Sequence, residues 1–118
     1  MEVIITDVNG NKLSYEQNAE GKYNIEIIHH WQVFRTGFIF DSIKLLNKYQ
    51  LRVSQTDSEG NKKWGMISVC SGPILPCCFD KLKPYQAKVA QAFIGEEEYR
   101  IDSCGRVYSR EFWEMRNS

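Results

Sequence analysis

The feature that most constrains this chain is that it repeats itself. Phe40-Asp41-Ser42-Ile43-Lys44 returns as Phe79-Asp80-Lys81-Leu82-Lys83, and Arg52-Val53-Ser54-Gln55 returns as Lys88-Val89-Ala90-Gln91. A short period of this kind means one supersecondary unit built several times, with neighbouring copies burying a shared core. Trp31 and Trp64 each precede a glycine, Gly37 and Gly72, and then a Phe-Asp pair. Residues 4–13 (IITDVNGNKL) and 99–108 (YRIDSCGRVY) follow the pattern that opens at Trp64 as WGMISVCSGPIL. In register, the unit is an apolar alternating run, a polar turn, an aromatic-led run ending in Gly, and a short run ending in Phe-Asp. This divides the chain into a half unit over 1–22, repeats over about 23–48, 49–84 and 85–110, and a tail over 111–118.

Each part of the unit reads as a strand. Ile25, Ile27, Trp31 and Val33 fall on alternate positions, as do Leu51, Val53 and Gln55, the period of a half-buried strand. Residues 56–63 (TDSEGNKK), 95–98 (GEEE) and 9–11 (NGN) carry turn residues. Residues 84–93 (PYQAKVAQAF) also fit a helix, since Tyr85, Val89 and Phe93 are four apart and Pro84 suits a first helical position. Their match to Arg52-Val53-Ser54-Gln55 favours a strand. Residues 41–49 have room for one helical turn capped by Asp41. The expected fold is a single mainly β domain of about three imperfect antiparallel β-hairpin repeats, with at most one short helix.

The run over residues 61–85 (NKKWGMISVCSGPILPCCFDKLKPY) resembles the bacterial WG repeat, also called the KWG repeat. Lys63, Trp64, Gly65, Ile67, Gly72, Pro73, Ile74, Pro76, Phe79 and Asp80 fall on its pattern. Residues 98–109 resemble a degenerate copy, with Tyr99 for Trp and Arg100 for Gly, while Ile101, Asp102 and Gly105 keep the pattern. Residues 29–43 are weaker, with Gln32 in place of Gly. The resemblance implies a β-rich repeat array used as a binding or scaffolding surface, and it brings no catalytic residues with it.

A chain of 118 residues is one domain's worth, and 42% hydrophobic with 25% charged residues is ordinary globular usage. Fifteen basic and fifteen acidic residues cancel, and the basic ones are scattered, which argues against nucleic acid as a partner. No apolar run reaches the roughly 20 residues of a bilayer span, and the N-terminus lacks the pattern of a signal peptide. The expectation is a cytoplasmic protein with no membrane partner and with Cys70, Cys77, Cys78 and Cys104 reduced.

The chemistry-bearing residues read mostly as structure. Adjacent Cys77 and Cys78 point to opposite faces of a strand, no C-x₂₋₄-C pair sets a zinc site, and a CxxC motif is absent. One of the pair is expected inside and the other at the surface. Cys70 and Cys104, at similar places in successive units, are expected to pack. His29 and His30 likewise point to opposite sides as strand neighbours. Glu96, Glu97 and Glu98 are expected to face solvent from a turn. Asp41 and Asp80 are expected to bond backbone N–H groups and shape turns. Trp64 is expected to fill the layer between hairpins, with Trp31 and Tyr99 in the same slot. Gly65 either leaves space for a neighbouring aromatic or allows a bulge.

The tail carries Phe112, Trp113 and Met115 beyond the last unit. They either cap the open end of the array or form a sticky patch for a partner or a second copy. The N-terminal half unit could also pair with the C-terminal one and close the array. The reading is a non-enzymatic protein-binding or scaffolding module without metal or cofactor, in a cytoplasmic adaptor or immunity-type setting, its partner site at Phe112, Trp113 and Met115, with homo-oligomers open. The alternatives are a small enzyme using Cys or His, and a carbohydrate-binding module using an exposed Trp.

Overall fold

Among the described residues the same five-residue turn occurs four times, and it sets the meander. Asp7, Asn18, Asp57 and Asp102 each accept, on the side-chain oxygen, the N–H groups two and four residues on. Each backbone N–H bonds the carbonyl four residues later, and a glycine three residues on donates back to the first carbonyl. That glycine (Gly10, Gly21, Gly60 or Gly105) sits at φ between +81° and +87°, where a side chain is strained. Residues 9–11 and 56–63 pointed to two of these turns, and the Asp102 turn lies within 99–108, read only as a repeat copy. The Asn18 copy, Asn-Ala-Glu-Gly-Lys, carries the same signal.

The computed structural model describes residues 2–7, 9–69 and 72–116, with Pro73 as backbone only. The strands are β1 (Glu2–Thr6), β2 (Lys12–Gln17), β3 (Tyr23–His29), β4 (Gln32–Arg35), β5 (Ser42–Leu45), β6 (Gln50–Thr56), β7 (Lys62–Ser68), β8 (Gly72–Phe79), β9 (Lys81–Leu82), β10 (Ala90–Ile94), β11 (Glu97–Ile101) and β12 (Val107–Ser109). One helix, α1 (Arg110–Arg116), follows. They form three four-stranded antiparallel sheets in chain order, β1-β2-β3-β4, β5-β6-β7-β8 and β9-β10-β11-β12. The mainly β single domain with one short helix is therefore as expected.

Consecutive sheets share a corner. Phe40 pairs with Tyr23 in the first sheet, and the next residue, Asp41, donates its N–H to Ser54 in the second. Phe79 pairs with Trp64 in the second sheet, and Asp80 donates to Phe93 in the third. The carboxylates tie the corners. Asp41 accepts from the Lys22 ammonium and from the Thr56 hydroxyl at 2.6 Å. Asp80 accepts from Lys63 and from the Gly95 N–H at 2.6 Å. Thus Phe-Asp recurs because each copy turns the chain from one sheet into the next. At the third corner the signs reverse: Glu98, on the strand before Tyr99, meets Arg110 at 3.7 Å, and the chain leaves as α1.

The core lies on both faces of the middle sheet. Ile5, Leu13, Ile25, Ile27 and Phe40 pack with Leu51, Val53, Ile67 and Val69 on one side. Met66 and Phe79 pack with Leu82, Ala90, Ala92 and Ile101 on the other. Residues 65–68 of β7 are therefore all buried, which is why Trp64-Gly65-Met66-Ile67 reads as a continuous apolar run rather than an alternation. A Cβ at Gly65 would stand 2.7 Å from the Leu75 carbonyl oxygen and 2.9 Å from the Cys77 nitrogen. The β7–β8 register shifts there, so Gly65 does allow a bulge, but the space it leaves is taken by backbone and not by a ring.

Several local expectations are corrected. Residues 41–49 hold no helical turn: Asp41 is spent at the corner and β5 runs as an edge strand. In residues 84–93 the strand begins only at Ala90, after a tight turn closed by Gln86 and Val89 with Ala87 and Lys88 at φ +51° and +68°. The N-terminal half unit does not close on the C-terminal one; β1 and β2 complete the first sheet. The sheets also cut the repeat in a different phase from the sequence units, because the corner falls within Phe-Asp rather than before the alternating run.

Candidate functional site

Helix α1 spends its apolar residues outside the core. None of its residues is buried, Phe112 is 54% and Met115 76% exposed, and Trp113 is half-buried. The Ser109 hydroxyl caps the first turn by accepting from the Phe112 N–H at 3.2 Å. Arg110 and Glu114 pair along the helix at 3.0 Å. The helix leans on β11 and β12 through Tyr108, whose ring stacks on Phe112 at 5.7 Å and meets Trp113 at 5.3 Å, tilted. The Arg116 guanidinium lies 5.0 Å from the Tyr108 centroid. Two of the three residues singled out in the tail, Phe112 and Trp113, are thus brought together with Tyr108, a ring that sequence reading had left inside the last repeat, while Met115 is exposed on the same helix.

A second exposed apolar group lies along the outer strand of the first sheet. Val33, Phe34, Phe38 and Ile39 are each between 40% and 56% exposed, and Trp31 is 99% exposed. Beside them Phe34, Ile39, Phe40, Ile67, Leu75 and Pro76 line a groove of about 280 Å³. Trp31 does not fill the layer that Trp64 and Tyr99 pack against. It sits with His30 in the two-residue turn between β3 and β4, at φ +69° and +48°. That turn breaks the alternation on which its expected burial rested. It also brings the His29 and His30 rings together, edge to face at 4.1 Å, instead of parting them across a strand. Asn11 accepts the His30 N–H at 3.2 Å and joins the hollow of about 240 Å³ at this tip.

The other candidates settle as follows. Trp64 is half-buried against the second cluster, with Arg52 and Lys62 over its ring at 4.5 and 5.0 Å. Tyr99 packs on the same cluster, edge to face with Phe79 at 6.2 Å. Cys77 faces inward and Cys78 outward, as opposite faces require. Burial pushes the Cys77 thiol up to about 11, and burial raises Cys78 too. Cys104 does not pack: it is exposed in the last turn, where its N–H bonds Asp102. Cys70 lies outside the described residues. Glu96 and Glu97 face solvent, but Glu98 is on a strand and half-buried, paired with Arg100 and Arg110. Asp41 and Asp80 bond across corners, and hydrogen bonds from Lys22 and Lys63 respectively hold their carboxyls below the usual aspartate range. Among the described residues no group of three or more His, Cys, Asp or Glu could hold a metal ion, and no helix is long and apolar enough to cross a membrane.

No protein-family model matches the chain, and no curated protein sequence matches it either.

Proposed function

We propose that this chain is a non-enzymatic protein-binding module, a WG-like β-repeat scaffold that presents α1 to a partner protein. The observation that carries the reading is that α1 places Phe112 and Met115 at 54% and 76% exposure while burying no residue. Large apolar side chains on one short helix stabilise an interface when they are not spent on the core. The thiol chemistry agrees: a nucleophilic cysteine needs a lowered pKa, and Cys77 and Cys78 are both shifted upward. A cytoplasmic adaptor or an immunity-type protein is the setting this suits.

The test is capture of cytosolic proteins on the tagged full chain, followed by rebinding of the purified partner. A stoichiometric partner, lost with Phe112→Ala plus Met115→Ala, is expected. A partner that binds the double variant equally well removes α1 from the account. One observation favours a second reading: Trp31, 99% exposed beside Asn9, Asn11 and His30, suits a sugar face. Oligosaccharides would then quench tryptophan emission in the wild type and not in Trp31→Ala.

A further inference from the structure

Sheet edges invite pairing with other chains, and folded proteins guard them. Each of the three sheets here has two edge strands. On β1 a bulge breaks the register between Val3 and Ile5, next to Glu2. On β5 the exposed Lys44 stands mid-strand. On β8, Pro73 and Pro76 lack the N–H that pairing needs. Strand β9 has two residues, one of them an exposed lysine, and β12 runs straight into α1, which packs beside it. Strand β4, Gln32-Val33-Phe34-Arg35, has none of these devices. All of its residues are exposed, and its one charge, Arg35, is held by Glu26 at 2.7 Å.

The register shows which backbone groups are available. Thr36 donates to Ile25, and Gln32 faces His29 across the two-residue turn, so Gln32, Phe34 and Thr36 point their N–H and C=O groups at β3. Val33 and Arg35 therefore point theirs outward. We propose that β4 pairs antiparallel with β4 of a second copy of this chain, across a two-fold axis at Phe34. In that register Val33 of each copy exchanges hydrogen bonds with Arg35 of the other, and the two Phe34 rings meet in the close, non-hydrogen-bonded position. An axis at Arg35 would set like charges opposite each other. An axis at Val33 would need Trp31 to pair, and its left-handed turn conformation forbids that.

Shape supports the choice of a second copy over an unrelated strand. In an antiparallel pair about Phe34, Trp31 of one copy and Gly37 of the other flank the same end of the paired strands. A Cβ at Gly37 would meet nothing within 4 Å, so there is open space over it, and Phe38 beside it is 40% exposed. An exposed ring and an open position thus lie at the same end of the paired segment. Zero formal net charge removes long-range repulsion between copies. The pairing is isologous, merges the first sheets of two molecules into one, and leaves both α1 helices outside it. It does not depend on the role of α1.

The test is sedimentation equilibrium of the full chain at up to about 100 μM, a range in which a weak specific dimer is populated. The wild type should show twice the monomer mass. Val33→Pro deletes only an outward N–H, so it should keep the β-sheet circular dichroism and halve the mass. A monomeric wild type, or a Val33→Pro protein that is folded and still dimeric, overturns the proposal. Should Val33→Pro not fold, Phe34→Cys decides. Under mild oxidation it should give a peptide crosslinked between the two copies of residue 34, because non-hydrogen-bonded partners stand about 4.5 Å apart at Cα. Absence of that crosslink, or equal self-crosslinking by Arg35→Cys, rejects the register.

Discussion

Gly65 is a residue at which the fold leaves no room for a side chain. Its missing side chain lets β8 backbone pass within van der Waals distance, and the atoms in the way belong to the main chain and cannot turn aside. Gly65→Ala should cost roughly 3 kcal/mol in denaturant unfolding, the upper part of the overpacking range. The same change at Gly37, where nothing stands within 4 Å, carries only the strain of its φ of +83°. Thiol reactivity gives a second prediction. Cys77, half-buried and pushed to about 11, should be alkylated more slowly at neutral pH than exposed Cys78 and Cys104. Peptide mapping after timed labelling would show it, and preferential labelling of Cys77 would revive the enzyme reading. At this scale the sequence is informative where chemistry forces the geometry. Adjacent strand cysteines must face apart, and a Gly after Trp64 offered a bulge as one of two readings, the other being room for a ring. It is uninformative at Trp31, because His30-Trp31 carries no Gly, Asn or Asp to announce a left-handed turn, so simple alternation carried the ring into the core.

The corners are the elements that make the repeat. Each Asp joins two sheets, and hydrogen bonds from Lys22 and Lys63 respectively, with further bonds from Thr56 and Gly95, lower the two carboxyl pKa values. A carboxyl lowered on folding contributes stability that is present above its unfolded pKa and lost as pH falls through its folded one. The wild-type melting temperature should therefore lose the corner contribution only below about pH 4, where unperturbed aspartates begin to protonate. Asp41→Asn plus Asp80→Asn should lower the melting temperature at pH 7 and converge with the wild type in acid. Parallel curves across the whole range would mean that the corner carboxylates do not act as charges. Phe-Asp stood out in the sequence as a repeated pair, but the expected local bonds to backbone N–H groups gave way to bonds across the corner, whose lysines, Lys22 just before β3 and Lys63 on β7, lie 19 and 17 residues from their aspartates. The strand at 90–94 was readable from its match to 52–55. The turn before it was not, since Ala87-Lys88 in the left-handed region follows no composition rule.

Taken whole, the molecule is a middle sheet with a core on each face and an outer sheet against each core, followed by a helix none of whose described residues is buried. The stacking follows from repetition, which is why the fold class was legible before any geometry. The absence of closure was not legible, because pairing the N-terminal half unit with either neighbour satisfies the same pattern; β1 and β2 join β3 by local hairpins, which cost less loop entropy than a return across the chain. The central functional claim is that α1 serves a partner and not the fold. The measurement that tests it most directly is urea unfolding of the full chain against Phe112→Ala plus Met115→Ala. If α1 is a docking element, the unfolding free energy should agree within about 0.5 kcal/mol, as for surface substitutions elsewhere. A loss of about 2 kcal/mol or more, the scale of truncated core side chains, would make α1 a cap on the third sheet and contradict the account.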